Sequence, residues 1–155
     1  MLRMRKLTDY GTVILSYMAR QPRAVHSVAE MASALGVAAP TTSKVLKTLA
    51  RGDLVQSTRG AKGGYRLARP PEEISVAEVI DVMEGPFGLT ECGSVAGLCR
   101  QEVSCPLRGH WQHLNRVVRD ALVQVTLAEM SRPFLRPPFN PPPARRATVP
   151  QEVAT

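Results

Sequence analysis

Residues 27–49 read SVAEMASALGVAAPTTSKVLKTL, and this stretch decides the fold prediction. The run Ser27-Val28-Ala29-Glu30 predicts a capping box, because a serine and a glutamate three residues apart can satisfy the free backbone donors at a helix start. Gly36 predicts that this helix ends at Leu35, since glycine accepts the left-handed conformation that terminates helices. A further helix beginning near Pro40 completes two short helices joined by a tight turn, which indicates a helix-turn-helix.

The flanking segments extend this motif to a winged helix-turn-helix. Upstream, apolar residues at helical spacing predict a first helix over about 8–21, with Thr8 as a candidate N-cap. Downstream, the runs 54–58 and 65–67 predict two short strands around a glycine-rich basic loop, and hence a β-hairpin wing. The expected fold class is mostly α, with a small hairpin wing and a long C-terminal dimerisation helix.

The second half of the chain predicts that long helix. Ser75 and Glu78 form a second capping-box pattern, which opens a helix through about Glu84, whereas residues 85–105 lack periodicity. From Pro106 onward, apolar residues alternate four and three apart, which is a heptad seam; its members are Leu107, Trp111, Leu114, Val118, Ala121, Val125 and Ala128. A helix of about 25 residues is too long to bury this stripe on a small domain, so a symmetric partner is expected. Packing within its own chain is the alternative.

Charge and proline divide the 155-residue chain into three parts. Residues 1–70 hold 12 basic and three acidic side chains, a net charge of +9 within a chain of formal net charge +7. A segment this positive attracts a polyanion, so 1–70 is predicted to be the DNA-binding head. Residues 71–130 are assigned the cysteine loop and the dimerisation helix. Residues 131–155 carry seven of the 13 prolines and are predicted to be a disordered tail.

Composition also disfavours other classes of protein. No window reaches the roughly 18 apolar residues that a membrane-spanning helix needs. Three cysteines are an odd number, which cannot form a closed disulfide framework in one chain, so a reducing cytoplasm is expected. No nucleophile-and-base motif such as G-x-S-x-G is present, and the chain is therefore predicted not to be an enzyme.

Two sets of side chains are candidates for contacting double-stranded DNA. Hydroxyls at the start of the predicted recognition helix and lysines along it suit phosphates and base edges in a major groove, and basic residues of the wing suit phosphates or the adjacent minor groove. These candidates are Thr41, Thr42, Ser43, Lys44 and Lys47 in the helix, and Arg59, Lys62 and Arg66 in the wing.

The three cysteines are the candidate metal ligands. Cys92, Cys99 and Cys105 are separated by six and then five residues, which is not the CxxC pairing of common zinc ribbons. Three thiolates in one loop could ligate an iron-sulfur cluster, although such a cluster usually needs four protein groups. A zinc site and redox-reactive thiols without a metal remain the alternatives.

Taken together, these motifs resemble the Rrf-type winged-helix transcription regulators over about residues 1–130. The resemblance is carried by the opening 6–10, the wing 59–67, and the three cysteines with Pro106. The stretches LTDYGTVIL and CPLRGHWQHLNR look most like the regulators of the SUF iron-sulfur assembly system. The resemblance implies a homodimeric repressor that binds a palindromic operator and carries a [2Fe-2S] or [4Fe-4S] cluster on Cys92, Cys99 and Cys105. A nitric-oxide or thiol redox-sensing repressor is the alternative function.

The resemblance also bears on the fourth ligand and on the DNA site. IscR-like members use a histidine three residues after the last cysteine, where this chain has Arg108. NsrR-like members use an aspartate near the N-terminus of the other subunit, and Asp9 matches that motif. Asp9 is therefore the favoured fourth ligand, with His110 and His113 as alternatives. IscR-like members also carry an acidic residue at the position of Ser43, so a different class of DNA site is expected here.

Overall fold

A computed structural model describes residues 4–60, 63–94, 97–101 and 103–133, with the backbone alone described at Cys92 and Ser94. The described chain is mostly helical with a small two-stranded antiparallel sheet, which confirms the expected fold class. In chain order the elements are α1 Lys6–Ala19, α2 Val28–Leu35, α3 Ala39–Arg51, β1 Val55–Thr58, β2 Gly64–Leu67, a 3-10 turn Pro71–Glu73, α4 Val76–Glu84, α5 Glu91–Ser94, α6 Arg108–Gln124 and α7 Leu127–Met130. Most of the predicted tail, from residue 134 onward, lies outside the described residues.

The local signals of the helix-turn-helix and the wing are confirmed. Ser27 and Glu30 form the predicted capping box at the start of α2, and Gly36 ends that helix in the left-handed region at φ 64°. Ser75 forms the second capping box with Glu78 at the start of α4. Strands β1 and β2 pair antiparallel as the hairpin, with Val55 opposite Leu67.

The start of α1 differs from the prediction. The helix begins at Lys6, and Thr8 lies in its first turn, fully buried, rather than at the N-cap. A carboxylate from α4 supplies the missing cap: Glu84 accepts the backbone N–H of Arg5 at 2.7 Å and the hydroxyl proton of Thr8. This acceptor is distant in sequence, so the pattern around Thr8 could not reveal it.

The long C-terminal helix is shorter than predicted, because two elements replace one. Helix α6 ends at Gln124, and Thr126 forms a further capping box with Glu129 to open α7. At the start of α7 the backbone pairs with the segment that precedes α4, because the Leu127 N–H donates to the Ile74 carbonyl at 2.8 Å. Ala128, the last member of the predicted seam, is consequently buried in the core of its own chain.

The hydrophobic core is formed by the helix-turn-helix, the wing and the returning C-terminal elements together. Ile14, Leu46 and Leu67 from the predicted head are buried in the same cluster as Ile74 and Leu127. Residues on both sides of the predicted boundary at 70 therefore share one core. The head and helix α4 are in direct packing contact.

Candidate DNA-binding surface and cysteine segment

Helix α3 presents one polar face to solvent. Its apolar residues Val45, Leu46 and Leu49 are buried, because they recur at helical spacing on the opposite face. Lys44 and Lys47 are exposed, as expected for side chains that reach DNA phosphates. Both lysines are thus available to a duplex at the surface of the head.

The hydroxyl residues at the start of α3 divide into two groups. Thr41 and Ser43 are half-buried at the surface. Thr42 is fully buried, and its hydroxyl donates to the carbonyls of Ala38 at 3.2 Å and Val37 at 3.4 Å. Thr42 is therefore not placed to contact DNA, contrary to the prediction, because its hydroxyl proton is donated within the turn and its side chain is fully buried.

Two of the three basic residues predicted in the wing lie within the described part of the structure. Arg59 is exposed at the start of the connecting loop, and Arg66 is exposed on β2, where its guanidinium donates to Gln56 Oε1 at 3.2 Å. Lys62 lies outside the described residues. Gly60 has φ 118°, a backbone conformation that side chains rarely adopt, which explains a glycine at this turn.

A buried histidine fixes the wing to the helix-turn-helix. The backbone of His26 exchanges hydrogen bonds with Tyr65 of β2 at 2.8 and 2.9 Å. Its ring meets Tyr17 of α1 edge-on, with 5.3 Å between ring centroids, and its Nδ1 lies 2.9 Å from Glu30 Oε1 of α2. Residue 26 therefore contacts α1, α2 and the wing at one point.

The same cluster shifts two pKa values. The hydrogen bond from His26 holds the pKa of Glu30 below its ordinary value, helped by the Tyr17 hydroxyl, which donates to Glu30 Oε1 at 3.1 Å. That hydrogen bond to the carboxylate also raises the pKa of Tyr17. Glu30 is thus kept as a carboxylate that binds both neighbouring rings.

The segment that carries Cys92 is fastened to α6 by one buried side chain. Asn115 accepts the Leu89 N–H at 2.9 Å, and its amide donates to the carbonyls of Gly93 at 2.5 Å and Phe87 at 3.4 Å. Gly93 lies so close that an added Cβ would be 3.2 Å from the Asn115 amide. The residue next to Cys92 is therefore held directly against α6.

A second attachment joins the same segment to α4. Asp81 accepts the Phe87 N–H at 3.2 Å, and it forms a bidentate ion pair with Arg119 of α6 at 3.1 and 2.7 Å. This ion pair raises the pKa of Arg119. The residues before Cys92 are thus bound to both α4 and α6.

The remaining candidate ligands lie at the surface. Cys99 and Cys105 are free, half-buried thiols, Asp9 is exposed in the first turn of α1, and His110 and His113 are exposed on α6. Among the described residues of one chain, no three His, Cys, Asp or Glu side chains are grouped closely enough to hold a metal ion. A single copy thus does not bring Asp9 together with Cys99 and Cys105.

The seam residues of α6 leave an apolar face exposed in the single chain. The exposed fractions are 54% for Leu107, 37% for Trp111 and 45% for Leu114, and Val117 beside them is 51% exposed. Exposed apolar side chains that follow one another along a helix are typical of an interaction surface.

Comparison with known proteins identifies the family. Residues 4–133 match the family model described as Rrf2, an iron-dependent transcriptional regulator. The chain belongs to the Rrf2 family. It is therefore a transcriptional regulator that binds DNA, and the prediction that it is not an enzyme is confirmed.

Individual relatives of this Rrf2-family protein agree with that assignment. It is 36% identical to Protein aau3 of Rhizobium meliloti over 121 residues, which are 78% of this chain and 75% of the relative. It is 29% identical to the HTH-type transcriptional regulator NsrR of Shouchella clausii over 131 residues, 83% and 88% of the two chains. The solved structure of T. potens IscR superposes with a TM-score of 0.63 at 26% identity, covering 83% and 85%. No helix in the described ranges is long and apolar enough to span a membrane.

Several residues that organise the site were not found from the sequence. Asn115 lies on a helix whose pattern predicted only the seam, and His26 precedes a capping box without any signal of its own. Glu84 was assigned only to the end of a helix. Each acts through partners that are distant in sequence, which a search for local motifs does not detect.

Proposed function

We propose that this Rrf2-family protein is a repressor that senses iron-sulfur status and controls the genes of SUF iron-sulfur assembly. The observation that carries the proposal is the attachment of the cysteine segment to α6 through Asn115, in a chain whose family model is described as iron-dependent. The cysteine segment is placed to act on the head, because Asp81 joins it to α4 and Val79 of α4 lies in the core that the head forms.

The DNA-binding half of the proposal assigns contacts to the head, residues 1–70. Exposed cations on α3 and the wing neutralise phosphates, and half-buried hydroxyls at the start of α3 contact the duplex. The assigned residues are Thr41, Ser43, Lys44, Lys47, Arg59, Lys62 and Arg66. Ser43 lacks the acidic group of IscR-like members, so a Ser43→Glu exchange is expected to change the set of DNA sites bound.

The second part of the proposal is a homodimer formed through α6, within residues 71–130. The exposed Trp111 and Leu114 match a two-fold interface, in which the same face of each copy is covered. A palindromic operator follows from this symmetry. Leu114→Ala is expected to lower the dimer fraction in sedimentation equilibrium, whereas Val25→Ala, an exposed apolar residue of the head, leaves it unchanged. Equal dimer fractions for both variants would contradict the interface.

The donor set fits an iron-sulfur cluster. Cys99 and Cys105 are free and half-buried, and Cys92 lies on the short helix beside Gly93, so three soft sulfur donors belong to one segment. When bound, a cluster supplies a link among these thiolates that responds to iron supply and oxidants. Asp9 of the second copy is assigned as the fourth ligand, with His110 and His113 as alternatives.

DNase footprinting tests the proposal with anaerobically purified protein in its cluster-loaded and cluster-free forms. Protection of a palindromic site that differs between the two forms is expected, and Cys92→Ser should abolish the difference. Identical footprints, or a single asymmetric half-site, would contradict it. Cluster retention in Asp9→Ala compared with His110→Ala and His113→Ala decides the fourth ligand, and equal retention in all three removes Asp9.

A nitric-oxide or thiol redox-sensing repressor is the second candidate, favoured by the free, partly exposed thiols of Cys99 and Cys105. Peroxide treatment of metal-free protein distinguishes the two functions. A change in DNA affinity without iron supports direct thiol sensing, whereas no change supports the cluster.

The segment 131–155 is assigned no part in binding. A chain that ends at residue 133 is expected to bind DNA with the affinity of the full chain. Weaker binding by the shortened chain would show that the proline-rich tail contributes.

A further inference from the structure

The side chains of the last turn of α4, residues 81–84, contact several other parts of the molecule. Asp81 binds the cysteine segment at Phe87 and α6 at Arg119. The next residue faces α3, and the two after it face α1. A helical turn distributes consecutive side chains around its axis, so one turn can join several elements.

The contact with the recognition helix is made by Val82. Gly52, the residue that ends α3, lies so close to Val82 that an added Cβ would overlap both methyl groups of the valine. Such a close approach allows little independent movement of the two backbones. The C-terminal end of α3 is therefore packed directly against Val82.

The contacts with α1 are made by Met83 and Glu84. A Cβ added at Gly11 would lie 3.3 Å from the Met83 sulfur, so the two helices also approach closely here. Glu84 caps the first turn of α1 through Arg5 and Thr8, next to Asp9. One turn of α4 thus contacts the cysteine segment and the first turn of α1 in the same chain.

We infer that the last turn of α4 is the coupling element of the regulator, which links the cysteine segment to the recognition helix. Asp81 responds to the cysteine segment, and Val82 acts on α3. The Asp81–Arg119 pair and the Asp81–Phe87 hydrogen bond set the position of this turn according to the conformation of the cysteine segment. Val82 then sets the position of the C-terminal end of α3. This inference rests on the proposed function in one respect only, that the cysteine segment is the sensor.

The chain offers a matched control for testing this inference. Arg119 pairs with Asp81 at 2.7 Å at one end of α4, and Arg69 pairs with Glu78 at 2.8 Å near the other end. The two guanidinium side chains are 44% and 39% exposed. Arg119→Gln and Arg69→Gln therefore remove the same charge from similar ion pairs, and only the first pair belongs to the proposed coupling element.

Amide hydrogen exchange of the full-length protein measures the coupling without any cluster. Arg119→Gln is expected to raise exchange about two- to fivefold both in 85–93 and in 49–54, the range expected for a half-exposed pair. Arg69→Gln should leave 49–54 unchanged. In a Val82→Ala background, the effect of Arg119→Gln on 49–54 should disappear while that on 85–93 remains. Equal exchange of 49–54 in the two arginine variants would overturn the inference.

DNA affinity supplies the second readout. The ratio of affinities between cluster-loaded and cluster-free protein is expected to fall toward one in Arg119→Gln and to keep its wild-type value in Arg69→Gln. An unchanged ratio in Arg119→Gln would overturn the coupling role. Protein that cannot be loaded with a cluster would contradict the proposed function alone, because the exchange comparison still decides whether the turn couples 85–93 to 49–54.

Discussion

His26 and Tyr65 exchange both of their backbone hydrogen bonds, at 2.8 and 2.9 Å, and so join the wing to the segment that leads into α2. The neighbouring Gly64 makes this pairing feasible. A Cβ added there would overlap the carbonyl of His26, so the strand could not approach.

Gly64→Ala is accordingly expected to displace the wing and to weaken DNA binding by about five- to 150-fold, since a rigid backbone overlap costs about 1–3 kcal/mol. Fluorescence anisotropy with operator DNA measures the loss. Gly109→Ala, on α6 with open space around the position, is the matched control and should bind as wild type. Equal affinities for the two variants would show that the wing position does not matter.

Asn115→Ala tests the attachment of the cysteine segment. The substitution removes the side-chain partner of the Leu89 N–H and the Gly93 carbonyl, which should cost about 1–3 kcal/mol. Limited proteolysis is expected to cleave within 87–93 faster than in wild type. Gln124→Ala, at an exposed position of the same helix, should be cleaved at the wild-type rate. If 87–93 is equally protected in both variants, Asn115 does not hold the segment.

How far the sequence alone predicts this molecule depends on the range of the interactions involved. The capping boxes at Ser27 and Ser75 and the Gly36 stop were predicted, because each depends on residues three or four apart. The end of α6 was missed because the heptad pattern of the sequence continues to Ala128. The helix itself is interrupted before that residue, where the backbone of Leu127 pairs with Ile74. Thr42 was misassigned for a related reason. A hydroxyl at a helix start looks the same in sequence whether it faces DNA or the carbonyl of Ala38.

The pKa of Glu30 predicts a pH-dependent contribution to stability. A carboxyl whose pKa is lowered by folding stabilises the fold above its ordinary value of 4.5, and this contribution is lost as the pH falls through the lowered value. The effect should stay below about 1 kcal/mol, because the side chain is 45% exposed. Urea unfolding should show wild type more stable than Glu30→Gln at pH 7 and equal to it near pH 3. A difference that persists at pH 3 would contradict this account.

Lys44 predicts a change in the salt dependence of DNA binding. Each neutralised phosphate contributes about −0.9 to the slope of the logarithm of affinity against the logarithm of salt concentration. Lys44→Gln is expected to reduce the slope by about that amount for every duplex sequence. Arg132→Gln, an equal charge change at an exposed position after α7, should leave it unchanged. The same slope change in both variants would indicate only a general charge effect.

The proposed function requires that Cys92, Cys99 and Cys105 together hold an iron-sulfur cluster. Strictly anaerobic purification, followed by a visible absorption spectrum and paired assays of iron and acid-labile sulfide, tests it most directly. Brown protein with iron and sulfide in matching amounts is predicted, and Cys92→Ser, Cys99→Ser and Cys105→Ser should each lose the colour. Protein that is colourless as purified and stays colourless after reconstitution with iron and sulfide would contradict the claim, and it would leave the DNA-binding assignment of α3 and the wing intact.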